Sequence, residues 1–229
     1  MVEAQHVVST MTLVETLEEQ ELLEQVLDDA KPAVPPDCRG LHYLLSTPFR
    51  YHAIYPHGSR FRRAGHTSGV FYASHKPATA VAEMAFRRLL FYAESPATPW
   101  PSSAGEYTAF AARFAARAGL DLAQPPLNRD AARWQDPVDY TSCQELADRA
   151  RAAGVQALRY HSARAEGLNV ALLTCAAFAS REPLERRRWR IHLGASGVRA
   201  ICDFPEERLA FGPTAFARDP RIAGIEWDR

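Results

Sequence analysis

The sequence predicts an α+β fold, a mixed β core with flanking helices behind an amphipathic amino-terminal helix. Three observations lead there. Residues from about 155 to 204 fall into short strand-like runs broken by Gly167, Gly194 and Gly197. Helical periodicity is confined to three stretches, 13–31, 77–92 and 143–153. Strands and long helices do not alternate regularly, which argues against a doubly wound parallel sheet. With 229 residues, 47% of them hydrophobic, the chain can bury one sizeable core.

Residues 1–12 show no periodicity and are expected to fray. From Leu13 to Lys31, the residues Leu13, Leu17, Leu22, Leu23, Val26 and Leu27 recur at helical spacing among acids, until Pro32, Pro35 and Pro36 stop the helix. Two readings stand for this segment, a docking surface for a partner or second copy, or a helix packed on its own domain; the second is the commoner. GVFYAS at 69–74 suits a half-buried strand, and Pro77 suits the first position of a helix that carries Val81, Met84, Ala85, Leu89 and Tyr92 on one stripe. Ser142 and Glu145 have capping-box spacing before the helix of 143–153, and Gly154 ends it. Strands follow at 155–161, 168–174, 188–193 and 198–204.

Charge narrows the function classes. Lys+Arg and Asp+Glu balance at 27 each, but residues 1–31 hold eight acids against Lys31 alone, so the remainder has 26 bases against 19 acids and is +7. Lys31 and Lys76 are the only lysines, and guanidinium is the group that grips phosphate or carboxylate through two oxygens. No apolar run approaches a membrane span and no secretory signal is visible, so cytoplasmic residence is expected. Cys38, Cys143, Cys175 and Cys202 lie far apart without a Cys-x-x-Cys pair and are expected to be reduced and structural. Eight histidines form no metal-binding motif, and the nearby pair His52 and His57 has no cysteine or clear carboxylate partner, so no metal is expected. Nucleophile-elbow, P-loop and dinucleotide-turn motifs are missing too.

Two stretches concentrate polar chemistry. Residues 46–83 bring Arg50, Arg60, Arg62, Arg63, Tyr72 and Glu83 around the predicted strand and helix start, and 159–169 offers Tyr160, Ser162, Arg164 and Asn169 before an apolar strand. By spacing alone each is more often a surface or turn residue than a catalytic one. The blocks LLSTPFRY, GSRFRRAG, GVFYAS, TAVAE, RYHSAR, GLNVALL and RRRWRIHL, in this order over about residues 41–204, resemble the RES-domain family. Phe61 stands where tryptophan is usual in that family, and His161 where proline is common.

The resemblance implies an ADP-ribosyltransferase-like fold and a domain at 41–229 behind an extension at 1–40. It also implies a toxin of bacterial toxin–antitoxin pairs that consumes NAD+ by hydrolysis or phosphorolysis, with protein ADP-ribosylation as the alternative. NAD+ would be substrate, with no prosthetic group. The partner implied is a helix-turn-helix, Xre-like antitoxin in a hetero-oligomeric complex, with DNA met only through it. By the family's motif, Arg60, Tyr72 and Glu83 are the catalytic candidates; Arg60, Tyr72, Ser162, Arg50 and Asn169 are candidates for holding NAD+. A carboxylate beside the ribose, Glu83, would stabilise the positive charge that builds as nicotinamide leaves. Arg60 would fork onto the diphosphate, Tyr72 would stack on nicotinamide, and Ser162 would hydrogen-bond its amide or ribose. A non-enzymatic, arginine-rich nucleic-acid-binding module is the rival of a different class; zero net charge and scattered arginines count against it.

Overall fold

The computed structural model describes residues 1–3, 13–50, 58–65 and 68–228. His52 and His57 lie outside them. Among the described residues two sheets carry the fold, and every strand pair but one is antiparallel. The first has five strands in the order β1 (Val2–Glu3), β3 (Gly105–Ala111), β7 (Glu185–Gly194), β8 (Gly197–Cys202) and β9 (Glu207–Phe211). The second has four, in the order β2 (Phe71–Ser74), β6 (Leu168–Leu172), β5 (Ala157–His161) and β4 (Gly119–Asp121), with β4 parallel to β5. The α+β reading holds.

Among the described residues five helices accompany the sheets: α1 (Leu17–Asp29), α2 (Tyr43–Arg50), α3 (Pro77–Glu94), the single turn α4 (Ala131–Trp134) and α5 (Thr141–Ala152). The stripe read from the sequence sets the position of α3, since Val81, Ala85, Leu89 and Tyr92 are buried in one cluster with Tyr107, Trp189, Ile191 and Val198 of the first sheet. Phe216, Ile222 and Ile225 of the carboxyl-terminal segment complete that core. A second core joins α5, through Cys143, Ala147 and Ala150, to Leu158, Tyr160 and Ala171 of the second sheet. The opposite face of that sheet, Phe71, Val170 and Leu172, packs with Leu45 and Phe49 of α2. Strand alternation thus sorts neighbouring residues: Phe71 is 5% exposed and Tyr72 37%.

Several expectations are corrected. Val2 and Glu3, expected to fray, pair with Thr108 and Tyr107, and Met1 packs against the first core, because β3 leaves an edge open to them. The commoner reading of the acidic helix fails: Leu17, Leu22, Val26 and Leu27 of α1 are exposed, and Gln20 is its one buried residue among those described. The capping box does not form, since α5 starts at Thr141 with no side-chain cap. Asp139 instead accepts from the Thr141 N–H at 2.9 Å, three residues before the Ser142 position that spacing suggests. The cysteines are not all reduced: Cys38 and Cys175 form a disulfide, their Cα atoms 5.3 Å apart, because a short 3-10 turn at each cysteine packs against the other. Strands β3, β4 and β9 and helix α2 add to the elements read from sequence.

Candidate active site

Register builds the site. Ser74 pairs with Asn169 and Asn169 with Tyr160, while Tyr72 pairs with Ala171, two positions along. Tyr72, Ser74, Tyr160 and Asn169 therefore share one face of the second sheet, since residues two apart point the same way. Glu83, in the second turn of α3, meets this face. Asn169 donates through Nδ2 to Glu83 Oε1 at 2.8 Å, and its Oδ1 accepts from Ser74 Oγ at 2.7 Å. Ser162, just past the end of β5, donates through Oγ to the same Oε1 at 2.7 Å. Oε2 accepts no hydrogen bond among the described residues.

The loop after β5 is built to hold Ser162. Its N–H donates to the Gly167 carbonyl at 3.0 Å, and its Oγ accepts from the Arg164 and Ala165 N–H groups, each at 3.1 Å. Ser162 is thereby saturated, one bond given and two taken, and is 6% exposed. Gly167 has φ +123°, and a Cβ there would meet Thr79 Oγ1 at 2.5 Å. Thr79, in the first turn of α3, donates to the Glu166 carbonyl at 2.9 Å, so the loop and the start of the Glu83 helix are fastened together. His161, where the family commonly has proline, closes the β5–β6 ladder opposite Leu168.

Tyr72 presents its ring and hides its hydroxyl. The hydroxyl accepts from the Phe61 N–H at 3.0 Å and shares a hydrogen bond with Ser59 Oγ at 2.9 Å. Burial of that end raises the phenol above its ordinary value despite those bonds and the fields of Arg60 and Arg151. Tyr160, deeper on the same face, is raised further, first by burial and then by Tyr72 and Glu83. Both phenols stay neutral at physiological pH. Phe61 is fully buried and meets Tyr160 edge to face at 4.9 Å, which is what the usual tryptophan position needs from an aromatic here.

The structure brings Glu83, Tyr72, Ser162 and Asn169 together and handles the arginines differently. Arg60 is 9% exposed; it donates through Nη1 to the Trp134 carbonyl at 2.6 Å and through Nη2 to that of Asp136 at 2.9 Å, beneath the Tyr140 ring. Its field reaches Tyr72 and Tyr160, but its fork grips backbone. Arg50, at the end of α2, donates to the Pro32 carbonyl, and Arg63 pairs with Asp148 at 2.6 Å. Sequence reasoning passed over Ser59 and Ser74, the hydroxyls that hold Tyr72 and Asn169; Ser74 was findable, lying two residues from Tyr72 on one strand face. It also passed over Asp219. This carboxylate, 1% exposed, receives Arg164 Nη2 at 2.9 Å and Arg221 Nη2 at 2.8 Å on Oδ2. Only its distance in sequence concealed it.

A cavity of about 890 Å³ adjoins the loop after β5, with Asp136, His161, Ser162, Arg164, Phe216 and Arg218 in its wall. Glu83 and Tyr72 do not line it; the carboxylate stands behind Ser162, which does.

No characterised relative matches the chain. The model of one protein family, the RES domain, matches residues 34–194, well over half of its length. That span holds Tyr72, Glu83, Ser162 and Asn169 and leaves Asp219 beyond its end. With the motif residues gathered around one carboxylate, and the match running from the turn before α2 to the end of β7, the chain belongs to the RES-domain family, known generally for NAD+-related toxin domains.

Proposed function

We propose that this protein degrades NAD+ by cleaving the bond between nicotinamide and ribose, with water or phosphate as acceptor. The observation that carries the reading is the Glu83 carboxylate, held through Oε1 by Ser162 and Asn169, with Oε2 uncommitted among the described residues. As nicotinamide departs, positive charge builds on the sugar, and a fixed anion in a partly dry site stabilises that state more than the neutral ribose of the substrate. Tyr72 offers a ring face of suitable size and polarity for the nicotinamide, its orientation set by the anchored hydroxyl.

Roles shift in detail from those that the family motif suggests. Ser162 and Asn169 act on Glu83, and Arg60 holds the backbone of 134–136. Diphosphate binding then falls to arginines other than Arg60. Transfer to a protein side chain differs only in the acceptor and needs the same carboxylate. We further propose that a helix-turn-helix antitoxin covers the site in a hetero-oligomeric complex and that the protein acts in the cytoplasm. Cys38 and Cys175 would then be met mostly as thiols, since that compartment reduces such pairs. No helix among the described residues is long and apolar enough to cross a membrane.

Incubating the purified protein with NAD+, with and without phosphate, and resolving nicotinamide and the ribosyl product tests the proposal. Free nicotinamide with ADP-ribose, or with its phosphorylated counterpart, supports it; labelled protein in place of free product moves the activity to ADP-ribosyl transfer. Intact NAD+ under every acceptor condition overturns it.

A further inference from the structure

The buried cluster of Arg164, Asp219 and Arg221 has no part in the chemistry above, yet it touches the same loop and the same helix. The side chains of Arg164 and Asp219 are 5% and 1% exposed. Asp219 Oδ1 accepts from the Arg221 N–H and Nε, each at 3.0 Å, and Oδ2 takes one guanidinium nitrogen from each arginine. Both guanidiniums also donate to the Pro137 carbonyl, at 2.8 and 2.9 Å. The Arg164 guanidinium lies 3.9 Å from the centre of the Phe86 ring. Phe86 is three residues past Glu83 on α3, so ring and carboxylate are neighbours on one helix surface, a turn apart.

Charge makes this arrangement more than a brace. Two guanidiniums share one carboxylate, leaving an excess positive charge; the Arg164 and Asp219 side chains are almost wholly buried, while Arg221 keeps 31% of its side chain exposed. Burial lowers the Arg164 pKa, while Tyr140, Asp219 and Glu83 draw it back up, so Glu83 lies within the reach of its field. Asp219 is held below its ordinary value: burial pushes it up, and the Arg221 hydrogen bonds with the two cations outweigh that. A buried cation deprived of its anion seeks the nearest other one.

We propose that Asp219 is a positioning residue for Glu83: by holding the Arg164 guanidinium on the Phe86 ring, it keeps that cation from pairing with Glu83 and leaves the Glu83 charge free to act on the substrate. The inference rests on the reading of Glu83 as the group that stabilises the developing ribosyl cation. It assigns to the carboxyl-terminal segment, which lies beyond the RES-domain match, a share in that site.

Asp219→Asn is nearly isosteric and removes the holding charge. NAD+ turnover should fall about tenfold or more, with KM moving less than about threefold, because an ion pair to Arg164 cancels a charge needed mainly in the transition state. Adding Arg164→Gln to that variant removes the stray cation and should return turnover to within about threefold of the parent, a recovery that a purely structural role would not give. If the single variant does not yield folded protein, the double variant, with no lone charge at 164, carries the same test: folded and near parental rate supports the proposal, folded and tenfold slow overturns it. A second arm needs no NAD+ turnover. In Asp219→Asn the Arg164 side-chain ¹⁵Nε resonance should move when Glu83→Gln is added, several-fold further than it does in the parent. A parent that leaves NAD+ intact would refute the functional reading while this arm still decides the clamp. The proposal is overturned if Asp219→Asn turns over within about threefold of the parent, if the double variant stays as slow as the single, or if Glu83→Gln moves the Arg164 resonance no further in Asp219→Asn than in the parent.

Discussion

Replacing Ser162 by alanine removes one hydroxyl and three hydrogen bonds, and the way the loss divides between binding and turnover separates two roles for this serine. The bond to Glu83 Oε1, at 2.7 Å, ends on an ionised acceptor, a class worth about 1.5–3 kcal/mol. If that hold is lost where the carboxylate must face the forming cation, turnover falls about 10- to 150-fold, at about 1.4 kcal/mol per tenfold. The other two bonds come from the Arg164 and Ala165 N–H groups, and the loop they shape borders the large cavity, so water can replace the hydroxyl in part. Stability should therefore drop by only about 1–2 kcal/mol, a few degrees in Tm for a chain of this size. Steady-state kinetics with NAD+, beside a thermal melt, measure both. The structure requires the loss in kcat with KM nearly constant. A KM raised tenfold with kcat preserved would mean that Ser162 touches the substrate, and the argument from its saturated hydrogen bonding would be wrong.

Four further outcomes are expected. Glu83→Gln keeps both hydrogen-bond partners but removes the charge, so turnover should fall about 100-fold or more while NAD+ affinity stays near that of the parent; equal losses in both would deny it a transition-state role. Arg60→Lys cannot span the Trp134 and Asp136 carbonyls, so Tm should fall by about 4–8 °C, reflecting about 2 kcal/mol; an unchanged melt with weakened NAD+ binding would return Arg60 to the ligand. Because its folded-state pKa is depressed, Asp219 contributes stability that is full above the ordinary aspartate value and lost as pH falls through the folded one; the Tm gap between parent and Asp219→Asn should hold above pH about 5 and shrink below about 4. Serine at Leu17, Leu22 and Val26 should leave Tm and turnover unchanged and reduce self-association in sedimentation, since these side chains contact mainly solvent.

The sequence was legible wherever neighbours in the chain are neighbours in space. The strand with Phe71 turned in and Tyr72 out, the stripe that seats α3 and the β5–β6 runs all have a local period, and all stand close to where that period puts them. Glu83, Tyr72, Ser162 and Asn169 followed from motif blocks; the register sets Tyr72 and Asn169 on one sheet face, which Glu83 of α3 and Ser162 of the loop after β5 meet. What stayed hidden was what each side chain bonds to. Nothing around Arg60 distinguishes a guanidinium that grips phosphate from one that grips two carbonyls some 75 residues on. Asp219 lies 55 positions along the chain from Arg164, and Cys175 lies 137 from Cys38, spacings that carry no period at all. The exposed leucines of α1 mark the reverse case, in which a clear helical stripe predicted burial and nothing among the described residues covers it.

The disulfide also turns a linear chain into a ring with two tails, 1–37 and 176–229. Residues 38–175 close on themselves and enclose Tyr72, Glu83, Ser162 and Asn169, while Asp219 and Arg221 ride on the second tail. In the chain-entropy model, closing a loop of 137 residues takes about 5 kcal/mol of freedom from the unfolded chain, a reserve present only while the bond is oxidised. A protease cut anywhere inside the ring leaves its two pieces covalently joined and the carboxylate still tethered to both its partners' strands. A cut in the second tail before Asp219 releases the segment outright, so that tail is where a single scission can detach part of the site's support.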